Sequence, residues 1–180
     1  TSGDSPPQRS PERLRPSDLT YIGAFRVPET DNFAGMGAMD SPSSLSFRPD
    51  GDPGGAGDGH GGSLFLSRNE TVSEITIPAP IKTTNVGALN VARQIQSRGN
   101  IIGNSSMGEN DRFGGVAYVS ARPGLPEPKI YWSTFEYYNV DGTDYNSVGV
   151  ADVNLTNGRG QWHVGPAAGS NWDSPYHGQK

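Results

Sequence analysis

The sequence predicts an all-β fold of antiparallel strands, and three observations lead to this class. Short runs with apolar residues at every second position recur along the chain, and this is the period of a strand with one buried face. Glycine and proline (25 Gly and 15 Pro among 180 residues) separate these runs, as turn residues do. No stretch combines the length, the amphipathic period and the capping residues of a helix.

The first half of the chain contains five predicted strands. The first extends over Leu19–Val27 and ends at Pro28. A Pro-Asp-Gly turn at 49–51 is followed by a glycine-rich insertion, Asp52–Gly62, in which we expect no packed element. A short helix also fits the spacing within Leu89–Gln96, but we favour a strand there. The five predicted strands are Leu19–Val27, Ser44–Phe47, Ser63–Ser67, Val72–Ile77 and Leu89–Gln96.

The second half contains four predicted strands. The run Lys129–Phe135 gives the strongest signal, because it is rich in β-branched and aromatic residues. A rigid loop at 122–128 precedes it, and the pair Asn157-Gly158 marks a later turn. The four predicted strands are Gly115–Val119, Lys129–Phe135, Ser147–Val153 and Gln161–Val164.

Two units of three strands follow one another, which indicates an internal repeat. The strands of the first unit, 44–80, recur in the second unit, 114–155. Measured from Leu45, Leu64 and Val72, the spacings are 71, 66 and 76 residues. Because these spacings stay close to one value, we expect both units to have the same architecture.

The run Phe47-Arg48-Pro49-Asp50-Gly51, followed by the predicted strand Ser63–Ser67, resembles the β-propeller repeat family. Blades of this family often carry a phenylalanine–serine–proline–aspartate–glycine turn before a strand that ends in serine. Arg48 stands where serine is usual, and the second unit lacks the turn. The resemblance implies propeller-like blades that form a partial propeller, since a closed propeller has about four to eight blades. A β-sandwich is the alternative fold.

Two open units would leave edge strands whose outer backbone groups have no ladder partner. We therefore expect additional polypeptide, or further copies of this chain, to pair at the sheet edges. A polysaccharide is the other partner that we consider. A net charge of −5 gives no basic footprint for nucleic acid. No apolar run approaches the ~18 residues of a membrane-spanning helix.

Residues 1–16 are polar and proline-rich, so we expect a disordered or extended tail before a single β-rich domain at 17–180. The tail resembles in composition what remains after removal of a secretion signal, which predicts a secreted protein, extracellular or periplasmic. The alternative is that Thr1 marks the boundary of an expressed segment. The chain has no cysteine and therefore no disulfide. Glycosylation sequons begin at Asn69, Asn104 and Asn154.

Two loops carry oxygen ligands for a calcium ion, the only cofactor that the sequence suggests. Ca²⁺ takes about six to eight oxygens from carboxylates, amides and carbonyls. The stronger candidate is the loop with Asp141, Asp144 and Asn146, next to a glycine. The alternative is that these residues only form turns. The weaker candidate loop contains Asp50, Asp52, Asp58 and His60.

A histidine and a tyrosine near the C-terminus are the candidate catalytic residues. His163, His177 and Tyr176 lie in a segment that also contains tryptophan. A His/Tyr pair can act as base and acid in polysaccharide lyases, and aromatic rings stack on sugars. The alternative is that both histidines are ordinary surface residues.

An aromatic cluster at 131–138 is the candidate ligand-binding surface. Strand alternation sends Tyr131 and Phe135 to one face and Trp132 to the other. One face must form core, and an exposed aromatic strip on the other would bind glycans or proteins. The alternative is that both faces are buried. The candidate residues are Tyr131, Trp132, Phe135, Tyr137 and Tyr138.

These patterns predict a secreted, β-rich binding or structural assembly module that belongs to a larger or multi-chain assembly. The alternative function is a carbohydrate-active enzyme, a polysaccharide lyase or hydrolase, of β-propeller type.

Overall fold

The structure is a computed structural model that describes residues 15–28, 44–55, 59–68, 71–103, 112–135 and 146–163. Within these ranges it contains eight strands and two short 3₁₀ turns, Pro16–Asp18 and Val86–Ala88, which confirms the predicted all-β class. None of the helical segments in these ranges is long and apolar enough to cross a membrane. The strands are β1 (Ser44–Arg48), β2 (Gly59–Arg68), β3 (Thr71–Pro78), β4 (Gln94–Asn100), β5 (Arg112–Val119), β6 (Lys129–Phe135), β7 (Val148–Asp152) and β8 (Arg159–Trp162).

The strands form two antiparallel sheets of four strands each. The first sheet has the order β1-β2-β3-β4, and the second has the order β5-β6-β7-β8. Each sheet is therefore a meander in which every strand pairs with the next one in the chain, as short turns between antiparallel strands allow. Both sheets have the same strand order and direction of travel.

The turn after β1 fixes the start of the first sheet. The Gly51 amide donates to the Arg48 carbonyl at 3.3 Å, which closes the predicted Pro-Asp-Gly turn. Gly51 is buried, and a Cβ there would overlap the Ser63 side chain on β2. Only glycine fits this position without displacing the neighbouring strand.

The two sheets share one hydrophobic core. Phe65 and Val72 from the first sheet are fully buried together with Ile130 and Trp132 from the second. The rings of Phe65 and Tyr118 stack across the interface with centroids 6.3 Å apart. Alternating burial along β6 shows that Ile130, Trp132 and Thr134 face the first sheet, as the alternation predicted.

Serine side chains of β1 satisfy part of the free edge of β5. The Val116 amide donates to Ser44 Oγ at 2.8 Å, and the Tyr118 amide donates to Ser46 Oγ at 2.7 Å. We expected such outer backbone groups to be left for another polypeptide. At this edge the chain satisfies two of them itself, because the hydroxyls on β1 repeat at the same two-residue interval as the amides on β5.

The predicted strand Leu19–Val27 is wrong. The segment pairs only through single bridges at Ala24 and Arg26. Leu19 is 68% exposed, so the expected buried face does not form. The reason is Gly23, which has φ of 140° and lies so close to the Ile81 backbone that a Cβ would be 2.7 Å from it.

Three other predicted boundaries also shift. β2 begins at Gly59, so the end of the predicted insertion Asp52–Gly62 is strand, with an irregular register near His60. β4 covers Gln94–Asn100 instead of Leu89–Gln96, because Asn85 caps a 3₁₀ turn just before it. The last strand ends at Trp162.

Candidate functional site

The first sheet has a face that points away from the second sheet, and we call it the outer face of the first sheet. Residues directly opposite in an antiparallel pair share a face. Leu45 pairs with Leu66, and Phe47 pairs with Leu64, which in turn pairs with Ile75. These five apolar side chains therefore lie on one face, opposite to the face that carries Ser44 and Ser46.

Exposure on this outer face is concentrated on β1. Leu45 is 60% exposed and Phe47 is 51% exposed, whereas Leu66 and Ile75 are buried. The Phe47 ring lies against Gly62, where a Cβ would be 2.6 Å from the ring. The two large side chains thus form an apolar surface on an edge strand whose neighbours are already packed.

The second sheet also has an outer face, which points away from the first sheet. The register places Ala117 beside Tyr131, and Tyr131 beside Val150. In the adjoining row, Val148 pairs with Trp162, which is 47% exposed. A shallow depression of about 300 Å³ opens next to β5, and Gly115, Ala117, Tyr131 and Val148 are among its lining residues.

An ion pair closes one end of the second sheet's outer face. Lys129 Nζ lies 2.7 Å from Asp152 Oδ1 and 3.1 Å from Glu127 Oε2. The hydrogen bond to Asp152 raises the pKa of Lys129, and the same bond lowers the pKa of Asp152, with a further contribution from Asn157. Since the charges balance at this end, the centre of the face remains uncharged.

A buried carboxylate lies on the inner face of the first sheet. Glu74 is 1% exposed, and its oxygens accept hydrogen bonds from Ser63 and Gln96. The Arg48 guanidinium approaches Glu74 Oε1 to 3.3 Å. Gln96 also donates to the Val153 carbonyl of the second sheet at 2.9 Å, which extends the network across the interface. A buried charge needs such partners, so this network fixes both strand register and sheet contact.

The network reaches the surface through Asp50 and Tyr118. The Tyr118 hydroxyl donates to Asp50 Oδ1 at 2.5 Å, and Arg48 Nε lies 3.5 Å from the same oxygen. The Tyr118 hydrogen bond is the main reason that the pKa of Asp50 is lowered. Burial, followed by the bond to Asp50, raises the pKa of Tyr118. This link connects the Pro-Asp-Gly turn of the first sheet to the second sheet.

The link between Asp50 and Tyr118 predicts a dependence of stability on pH. Because the folded pKa of Asp50 is lowered, its contribution is present above the unfolded value of about 3.9 and is lost as the pH falls through the folded pKa. Because the folded pKa of Tyr118 is raised, its contribution is present below about pH 10 and is lost as the pH rises through the folded pKa. Urea unfolding across these ranges should show a shallower pH dependence for Tyr118→Phe.

The matched control for this experiment is Tyr21→Phe, since Tyr21 is 65% exposed. We expect this variant to keep the wild-type pH profile. An acid limb that is equally steep in wild type and Tyr118→Phe would contradict the assignment.

The structure separates the predicted ligand-binding aromatics. Tyr131 and Phe135 are half-buried on the same side of β6, and they remain candidates. Trp132 is 1% exposed in the shared core, so a surface ligand cannot contact its ring, and this part of the prediction is corrected. Tyr137 and Tyr138 lie outside the described residues.

The described residues contain one of the three predicted catalytic side chains. His163 is half-exposed and directly follows the last residue of β8, Trp162. His177 and Tyr176 lie outside the described part of the chain. The predicted acid–base pair therefore stays a prediction.

The predicted metal and modification sites are only partly described. Asn146 is exposed just before β7, and Asp141 and Asp144 lie outside the described residues. Among the residues that the structure describes, no three His, Cys, Asp or Glu side chains group as metal ligands would. Asn154 is exposed, and its Oδ1 accepts a hydrogen bond from Thr156. Asn69, Asn104 and Asp58 also fall outside the described ranges.

The sequence analysis missed the polar residues between the sheets. Glu74 is the only charged residue in the predicted strand Val72–Ile77, which is a signal that a carboxylate is held at a special position. The alternation of Ser44 and Ser46 along β1 is a second signal, although it identifies no partner. Compared with protein-family models, with curated proteins and with solved structures, the chain shows no match.

Proposed function

We propose that this chain is a β-rich binding and assembly module whose two sheets are propeller-like blades of a larger assembly. The observation that carries the proposal is the apolar surface formed by Leu45 and Phe47 on β1, which is more than half exposed. In the second sheet the side chains at the matching places are Val116 and Tyr118, and these pack against the shared core. The first sheet thus offers a surface of the kind that the second sheet buries.

The pairing registers support this correspondence. Phe47 pairs with Leu64, and 71 residues after Phe47 comes Tyr118, which pairs with Ile130. Leu64 pairs with Ile75, just as Ile130 pairs with Ala151. The same offsets as in the sequence therefore relate cross-strand partners, as expected if another sheet stacks on the first in the way that the first meets the second.

The cellular setting of this function remains part of the proposal. A secreted location fits the polar, proline-rich start of the chain and the lack of cysteine. Calcium in the loop at 141–146 would support an extracellular module, but it is not needed for the assembly surface.

Photo-crosslinking tests the proposed function. A chain with a photoreactive residue in place of Phe47 is expressed in the organism from which the sequence comes, and irradiation should attach it to polypeptide. The matched control carries the residue at Ala121, which is exposed in the loop after β5. We expect crosslinks from position 47 to exceed those from position 121. Equal labelling at both positions would overturn the function.

A carbohydrate-active enzyme is the second candidate function. It is favoured by the exposed Trp162, which shares the second sheet's outer face with Tyr131 and is followed by His163. Aromatic rings on a sheet face suit stacking on sugars. Such an enzyme needs no polypeptide at position 47, so the crosslinking experiment also discriminates between the two functions.

A further inference from the structure

We infer that the outer face of the first sheet binds the outer face of the second sheet in another copy of this chain. The inference rests on the proposed function and names its partner. Each chain carries both halves of the contact, because its internal interface joins the opposite face of the first sheet to the opposite face of the second. The two faces left over are related to that interface by the same offsets.

The aromatic stack of the internal interface has a counterpart between copies. Inside the chain, Phe65 stacks on Tyr118. The residue 66 positions after Phe65 is Tyr131, and the residue 71 positions before Tyr118 is Phe47. Tyr131 is half-buried on one outer face and Phe47 is 51% exposed on the other, so Tyr131 of one copy can stack on Phe47 of the next.

The centre of the proposed contact is apolar on both sides. The internal interface holds the charged pair Arg48 and Glu74. At the corresponding offsets of 71 and 76 residues, the outer face of the second sheet carries Val119 and Val150. An uncharged face suits Leu45 and Phe47, and no buried charge would be left without a partner when the copies meet.

One feature of the internal interface is missing between copies, and it sets the expected strength. Ser46 accepts a hydrogen bond from the Tyr118 amide inside the chain. Its counterpart on the second sheet is Ala117, which has no hydroxyl for the Phe47 amide. We therefore expect an association weaker than the internal contact, and one that a serine at position 117 would strengthen.

The contact is head-to-tail, since it joins different faces of two copies. Such contacts form a closed ring if the rotation between copies closes and an open fibre if it does not. A closed propeller contains about four to eight sheets. Because each chain supplies two sheets, a ring would contain about two to four copies.

Light scattering during size-exclusion chromatography tests the association over a range of concentrations. We expect the wild-type mass to rise toward a small multiple of 19.1 kDa. Phe47→Glu should weaken the association at least about tenfold, because it places a charge in the apolar contact. Ala117→Ser should tighten it about fivefold by adding one hydrogen bond. Urea unfolding of each variant checks that the fold itself is unchanged.

Crosslinking between cysteine variants tests the pairing of faces, and the natural chain adds no thiol of its own. Chains with Leu45→Cys are mixed with chains with Ala117→Cys and treated with a short bis-maleimide. We expect mixed dimers to exceed those formed with the Ala121→Cys control. Equal yields, or a wild-type chain that stays monomeric at millimolar concentration, would overturn the inference.

The two tests fail in different ways. If position 47 crosslinks only to another polypeptide while the chain stays monomeric, the proposed function stands and the second copy is excluded as the partner. If position 47 labels nothing above the control, both proposals fall.

Discussion

Replacing Arg48 with methionine is expected to lower the free energy of unfolding by about 3 kcal/mol, because it leaves the Glu74 carboxylate buried without its cation. Glu74 is 1% exposed, and Arg48 lies 3.3 Å from it. Ser63 and Gln96 would still donate hydrogen bonds, but neither supplies a positive charge. We place the effect at the lower end of the usual range because the Arg48 side chain keeps some contact with water. Urea unfolding followed by circular dichroism measures it.

Two further variants identify the cause. Arg48→Met combined with Glu74→Met should recover most of the lost stability, since no charge then remains buried. Arg122→Met, at an exposed loop position, should change the free energy of unfolding by less than about 0.5 kcal/mol. If the double variant is as unstable as Arg48→Met alone, the unpaired carboxylate is not the cause.

Replacing Trp132 with alanine is expected to cost about 4 kcal/mol, because it opens a large cavity in the core that both sheets share. The ring is 1% exposed and lies against Gly149 and Gly160, where a Cβ at Gly149 would overlap it. Backbone on two strands is therefore shaped around this side chain. Thermal and urea unfolding should both show the loss.

The control for this variant is the same substitution at Trp162, which is 47% exposed. Trp162→Ala should cost no more than about 1 kcal/mol, since less apolar area leaves water there on folding. Similar losses for the two tryptophans would mean that Trp132 does not anchor the shared core.

The strands of both sheets could be predicted to within a few residues because a period of two depends only on local alternation. Lys129–Phe135 was predicted with its observed bounds, and its buried face also followed from the alternation. The strand at Leu19–Val27 failed because Gly23 bends the chain at a close approach to Ile81, and this contact joins segments far apart in sequence. Periodicity carries no information about such contacts.

The candidate surfaces could be predicted only in part. Alternation placed Tyr131 on the opposite face from Trp132, but exposure depends on what covers each face. The exposed Phe47 was first noticed as part of a turn motif, and its side chain became a candidate contact only once its strand was seen at an edge. Glu74 was missed because its partners Arg48 and Gln96 come from separate strands.

The serine hydroxyls of β1 also explain why eight strands remain two separate sheets. β1 and β5 are both terminal strands and lie side by side, an arrangement that invites them to merge into one continuous sheet. By occupying the Val116 and Tyr118 amides, Ser44 and Ser46 exclude a backbone ladder at that seam. Unwanted strand addition, and the fibrils that grow from it, would therefore have to start at β4 or β8 on the opposite side of each meander.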